Sequence, residues 1–266
     1  MKISLSIKAG DVVKEKSNFF EDLLRGFPVK SELSLEKISQ LVRECMIDGV
    51  EVALSANTHE SNLNLVKSVL ASNNIPVLSV HQPVLKILKI DFDSIAKLFK
   101  AAQKLSAKLI VIHLFALGKN IYDPNFIHKL KLLENEYGIK IGLENSIKNF
   151  FTNFCGSASW DESHFSETVR KTEFGITLDT SHMGYSGGNI IHFYKNNQDR
   201  IINIHLSDCK NSIFEMHLPL GKGNLPIRDF LILLKESRYQ GIVTLEVDSK
   251  WNDMQQSIRF IQNLVR

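Results

Sequence analysis

Residues 174–188 read FGITLDTSHMGYSGG. The short run up to Leu178 is β-branched and apolar, as expected of a buried strand. It is followed at once by Asp179 and, three residues on, by His182. A carboxylate at the end of a buried strand needs a partner, and a plain turn has no use for an imidazole. The stretch therefore reads as a strand whose end reaches a rim where Asp179 and His182 hold something. The glycines of the following GYSGG let the backbone approach closely.

Working outward, the same unit recurs. Short apolar runs occupy 2–7 (KISLSI), 49–54 (GVEVAL), 76–81 (PVLSVH), 109–113 (LIVIH), 139–144 (IKIGLE), 175–179 (GITLD), 201–205 (IINIH) and 242–247 (IVTLEV). They suit parallel strands covered on both faces. Between them lie stretches of helical spacing at 34–49, 60–74, 93–107, 125–138 and 227–241, the first expected to stop at Gly49. Eight strand–helix units in 266 residues predict one α/β domain over 1–266, a (β/α)8 barrel. A doubly wound open sheet is the alternative, but KAGDVVKEK after the first run is no glycine-rich phosphate loop. From the third run onward the strands end in His81, His113, Glu144, Asp179 and His205, and the eighth carries Glu246 near its end. In a barrel these ends share one rim, where barrel active sites sit. All six side chains are able to bind a divalent metal.

Composition sets the outer bounds. The chain is 44% hydrophobic and 23% charged, enough for a large core. A net charge of +3 neither demands nor excludes a nucleic-acid partner. Cys45, Cys155 and Cys209 are odd in number and lack a CxxC spacing, which suits free thiols in a reducing compartment. No apolar block opens the chain, and no segment reaches the ~18 apolar residues of a membrane helix. The expectation is a cytoplasmic protein with no membrane partner and an open oligomeric state.

The motifs GLENS (142–146), LDTSHMGYSG (178–187), IHLSD (204–208), HLPLGKGN (217–224) and GIVTLEV (241–247) together resemble the xylose isomerase-like barrel superfamily. That group includes sugar and sugar-phosphate isomerases and epimerases, and the DNA-repair enzyme endonuclease IV. The resemblance implies a metal site of Glu144, Asp179, His205 and Glu246. Three carboxylates and one imidazole suit Mn²⁺, Mg²⁺, Co²⁺ or Zn²⁺. Resemblance to endonuclease IV adds His81, His113, His182, Glu215 and His217 as further metal or substrate ligands, up to three zincs. Glu215 stands where that enzyme has Asp. Its duplex-opening segment is replaced here by HQPVLKILK (81–89), its strand-five continuation by ENSIKNFFTN (144–153), and an Arg by Met216. HLPLGKGN instead is similar to the sugar isomerase-like members.

Two mechanisms follow from the resemblance. In an isomerase or epimerase of a small sugar, sugar phosphate or polyol, Glu144 and Glu246 are the catalytic pair, moving a proton through a metal-stabilised enediolate. Lys222 is then a candidate phosphate contact. In a phosphodiester hydrolase acting on abasic DNA, the same carboxylates bridge several ions. Asp208 either orients His205 or caps the following turn. Asp248 and Trp251 either wall the pocket or pack in loops, and Phe150, Phe151 and Phe154 either lid the site or pack against helices. Cys209 has no base by spacing and is not expected to be a nucleophile.

Overall fold

The structure, a computed structural model, describes residues 1–9, 12, 35–55, 58, 60–83, 90–148, 159–247 and 251–265. Eight strands form one closed parallel barrel: β1 (Lys2–Lys8), β2 (Gly49–Ala53), β3 (Val77–His81), β4 (Leu109–His113), β5 (Lys140–Glu144), β6 (Gly175–Asp179), β7 (Ile201–Leu206) and β8 (Ile242–Leu245). Each pairs with the next, and β1 pairs with β8 from Lys2 against Ile242 to Leu5 against Leu245. That last pairing excludes the open doubly wound sheet, which would leave two edges. The predicted runs match these strands to within two residues at either end.

Around the barrel lie α1 (Leu35–Glu44), α2 (Glu60–Ser72), α3 (Phe92–Lys104), α4 (Pro124–Tyr137), α5 (Glu162–Thr172), α6 (Thr180–Tyr185), α7 (Ile190–Asn197), α8 (Ile227–Glu236) and α9 (Trp251–Val265). Each long helix turns one apolar stripe inward. In α3, the Asp91 carboxylate accepts from Ser94 N–H at the start, and Ile95, Leu98, Phe99, Ala101 and Ala102 are buried. Gly49 does not stop α1. That helix ends at Glu44, and Gly49 opens β2, where a Cβ would lie 2.5 Å from Pro76 O. Trp251 packs against the core at the start of α9 with Lys37 above its ring, which is the packing alternative.

The apolar core lies mainly between strands and helices. Inside the barrel, Ser4, Glu51, Ser79, Thr177, Asn203 and Thr244 are all fully buried. Ser79 donates to Glu51 at 2.7 Å, and Thr244 donates to Asn203 at 3.1 Å. Glu51 on β2 reaches His205 on β7, a strand that is not its neighbour, so the two meet across the interior. Barrel interiors ordinarily stack branched apolar side chains. Here a polar layer lies beneath the C-terminal rim.

Candidate metal centre

The register brings the strand ends level. His113 on β4 pairs with Glu144 on β5, and Asp179 on β6 pairs with His205 on β7. Past the end of β8, the Glu246 N–H donates to Leu206 O at 3.1 Å and extends the ladder by one rung. Glu144 lies at the centre of the resulting cluster. One of its oxygens is 3.0 Å from His81 Nε2 and 3.5 Å from His113 Nδ1. The other is 3.3 Å from His205 Nδ1 and 3.5 Å from His182 Nδ1. His205 Nδ1 is also 2.8 Å from Glu246 Oε2.

Asp179 has two functions. It caps α6, with Oδ1 accepting from His182 N–H at 2.7 Å and from Ser181 Oγ at 3.0 Å. Its other oxygen is buried and without a hydrogen-bond partner. The cap fixes the first turn of α6, so His182 faces the rim from a helix and not from a loop. Asn145, one residue after Glu144, clamps Asp179 from the other side. Its amide donates to Asp179 O at 3.0 Å and accepts from Asp179 N–H at 2.8 Å. The Asn145 carbonyl oxygen also lies 3.1 Å from His182 Nδ1.

The electrostatics follow from burial of charge beside opposite charge. Burial opposes charge on His205, but the carboxylates of Glu51, Glu246 and Glu144 outweigh it and hold the ring well above its ordinary range. Burial likewise opposes the charged form of Glu144, and His113, His205 and His81 hold it well below the usual carboxylate range. Glu246 is pulled below that range by His205 and His217 against its burial. His113 is lowered to about 3, by burial first and then by His81 and His182 against the pull of Glu144.

Do these donors suit a divalent ion? Among buried side-chain atoms without a hydrogen-bond partner are Asp179 Oδ2, His205 Nδ1, His113 Nδ1 and Glu246 Oε2. Thus His205 and Glu246 approach to 2.8 Å without hydrogen-bond geometry. Ligands at about 2.1 Å from a common ion stand roughly 3.0–4.2 Å apart. Among the described residues, donor atoms within 4.8 Å of one another occur in four overlapping groups: Glu144, Asp179, His205 and Glu246; His81, Glu144 and His205; His113, Glu144 and His182; and Asp179, His182 and His217. The donor set fits. Three carboxylates and one to five imidazoles, with no sulfur, suit a hard or borderline ion.

The other candidate residues stand differently. Glu215 pairs with Lys210 at 2.9 Å, half exposed, and joins none of the four groups. His217, at φ 51, packs edge-on to His182 with ring centroids 5.2 Å apart. Lys222 is exposed. Asp208 is the loop organiser of its two alternatives: buried, it accepts from the N–H groups of Cys209, Gly221, Gly223 and Leu225 at 2.9–3.0 Å. Burial and then Asp208 push the Cys209 thiol up to about 12. Phe150, Phe151, Phe154 and Asp248 lie outside the described residues. Sequence reasoning passed over Glu51 and Asn145. The signal for Glu51 was a carboxylate in the middle of an otherwise apolar run.

Fold and rim together define a class: a closed parallel (β/α)8 barrel whose C-terminal end gathers histidines and carboxylates around one buried glutamate. The chain belongs to the family described as xylose isomerase-like TIM barrel, which matches residues 40–264. An uncharacterized protein of Mycobacterium leprae (strain TN) is 24% identical over 249 residues, covering 84% of this chain and 86% of that one. Among solved structures, a D-tagatose 3-epimerase-like protein superposes with a TM-score of 0.69 at 20% identity, covering 99% of this chain and 97% of the other. An AP endonuclease, family 2, from Brucella melitensis superposes with a TM-score of 0.65 at 13% identity, covering 100% and 99%. At these identities the structural likeness is one of fold. Among the described residues no helix is long and apolar enough to cross a membrane.

Proposed function

We propose that this chain is a divalent-metal-dependent isomerase or epimerase of a small sugar, sugar phosphate or polyol. One observation carries the reading. In the group of Glu144, Asp179, His205 and Glu246, two carboxylates of unequal exposure share one imidazole, with Glu144 at 1% and Glu246 at 30%. When bound, the ion supplies positive charge beside a substrate carbonyl and its neighbouring hydroxyl, which acidifies the carbon-bound hydrogen between them. Glu144 and Glu246 then act as the acid–base pair: the ionised carboxylate of one removes that proton, and the other, once it has taken a proton from solvent, delivers it to carbon. Both are held below the usual carboxylate range, which suits the accepting role. Asp179 and His205 fix the geometry, and His182 and His217 offer ring nitrogens to substrate hydroxyls. Lys222, on the loop that Asp208 ties down, is the phosphate contact for a phosphorylated substrate.

The test is exchange of carbon-bound hydrogen in D₂O, followed by NMR over a panel of ketoses and their phosphates with protein loaded with Mn²⁺ or Co²⁺. Exchange into one of them is expected. Loaded protein that exchanges hydrogen in none of them refutes the reading.

A second reading, a phosphodiester hydrolase acting on abasic DNA, is favoured by the placing of His81, His113 and His182 around Glu144. They create donor groups that a one-ion isomerase does not need. Clustered ions would supply the charge that displacement at phosphorus requires. Elemental analysis separates the two: about one ion per chain supports the isomerase, and about three zincs support the hydrolase. Efficient incision of an abasic duplex, lost in His182→Ala, would decide for the hydrolase.

A further inference from the structure

Among the described residues, Glu51 is a fully buried carboxylate at the centre that none of the four donor groups uses. Its Oε2 accepts from Ser79 Oγ at 2.7 Å and lies 3.2 Å from His205 Nε2, and its Oε1 lies 3.1 Å from the same nitrogen. The ring is gripped from two sides, because its Nδ1 faces Glu144 at 3.3 Å and Glu246 at 2.8 Å. His205 itself is fully buried, so bulk solvent does not reach either nitrogen.

A purely structural role does not account for this carboxylate. An ion pair buried in a barrel interior is often no more stable than apolar side chains of the same volume, and apolar side chains are what that layer ordinarily holds. What the carboxylate does uniquely is choose between the two tautomers of His205. With an ion among Nδ1, Glu144 and Glu246, a proton on Nδ1 would block the ion and turn the Nε2 lone pair toward both oxygens of Glu51. A proton on Nε2 is accepted by Glu51 and leaves the Nδ1 lone pair for the ion. The partner of the non-ligating nitrogen generally sets which nitrogen ligates.

We propose that Glu51 is the positioning residue of the centre: it accepts the Nε2–H hydrogen bond of His205 and so commits Nδ1 to the metal. The inference rests on the metal reading of the site and is independent of which reaction the site performs. Asn203 and Ser79 complete the device. Asn203 lies at the far side of the Glu51 carboxylate, 3.5 Å from Oε2, and is itself bonded by Thr244. The carboxylate is thus held directly by β3 and β7, and through Asn203 by Thr244 on β8.

The experiment uses Co²⁺ as the probe. Metal-free full-length protein, wild type and Glu51→Gln, is titrated with Co²⁺ against a chromogenic chelator, and the melting temperatures of the metal-free forms are compared. Glu51→Gln keeps the shape and a neutral acceptor but loses the charge. Its Co²⁺ affinity should fall about 10- to 100-fold, the usual effect of removing such a partner, with its melting temperature held or raised. A folded Glu51→Gln protein that binds Co²⁺ as tightly as wild type overturns the proposal. A second measurement needs no variant: long-range ¹H–¹⁵N spectra of Zn²⁺-loaded wild type should show His205 with its proton on Nε2 and a metal-shifted Nδ1. The reverse assignment overturns the proposal while leaving the metal reading intact. Wild type that binds neither ion overturns the metal reading, and this inference with it.

Discussion

Asp208→Asn separates the two roles that its position after β7 allowed. Asp208 Oδ1 accepts from Cys209 and Leu225 N–H, and Oδ2 accepts from Gly221 and Gly223 N–H, all at 2.9–3.0 Å. Asparagine replaces one of these oxygens with an amino group, so two backbone donors meet a donor. Hydrogen bonds to a charged acceptor contribute about 1.5–3 kcal/mol each, so two lost bonds cost roughly 3–6 kcal/mol. Gly221 is exposed and can turn to water, which favours the lower end, about 3 kcal/mol. At roughly 2–4 °C per kcal/mol for a chain of this size, the melting temperature should fall by about 6–12 °C. Because the carboxylate of Asp208 is taken up by four backbone N–H groups of its own loop, Co²⁺ affinity should change less than about threefold, well under the 10-fold expected for a partner of a ligand. The assay is thermal melting of the metal-free proteins beside a Co²⁺ titration. An unchanged melting temperature with weakened Co²⁺ binding would show that Asp208 acts on His205 and that the loop is held otherwise.

Glu246→Gln should fold and retain metal through Glu144, Asp179 and His205, while turnover falls by roughly two to four orders of magnitude; turnover within tenfold of wild type would remove Glu246 from the catalytic pair. Glu215→Gln should leave the number of bound ions per chain unchanged, because that side chain is engaged by Lys210 at the surface; loss of one ion by elemental analysis would show that Glu215 joins the centre. Asn145→Ala should weaken Co²⁺ binding and lower the melting temperature together, because it strips both an acceptor and a donor from the buried backbone of Asp179; wild-type values for both would refute the clamp.

The barrel was legible because each strand is a short β-branched run, and the side chains that meet at its rim were legible because they break that run at its C-terminal end. Helix α5 was missed for a plain reason. Its buried stripe is Phe165, Thr168, Val169 and Thr172, and two threonines blur the apolar period. Glu51 was hidden differently. It sits inside GVEVAL, which reads as a buried strand, and the imidazole that explains it is 154 residues away. Glu215 shows the converse. Its place in the resembling motif marked it as a ligand, but the loop brings Lys210 against it, with Lys210 N–H also donating to Glu215 O. Such a local pairing follows from the turn, which the motif does not encode.

The seam between β1 and β8 bears on how the molecule folds. Glu246 is delivered by the strand that closes the ring against β1, and its own N–H bonds only once β7 is beside it. Glu144, Asp179, His205 and Glu246 stand on or just past β5 to β8, so an ion bound among them would find its full set of donors only once those four strands are paired, and would act as a latch on that pairing. Co²⁺ at a thousand times its Kd should add about 4 kcal/mol to stability, and that gain should appear as slower opening. Stopped-flow refolding should proceed at the same rate with and without Co²⁺, while unfolding of the loaded protein slows by about three orders of magnitude.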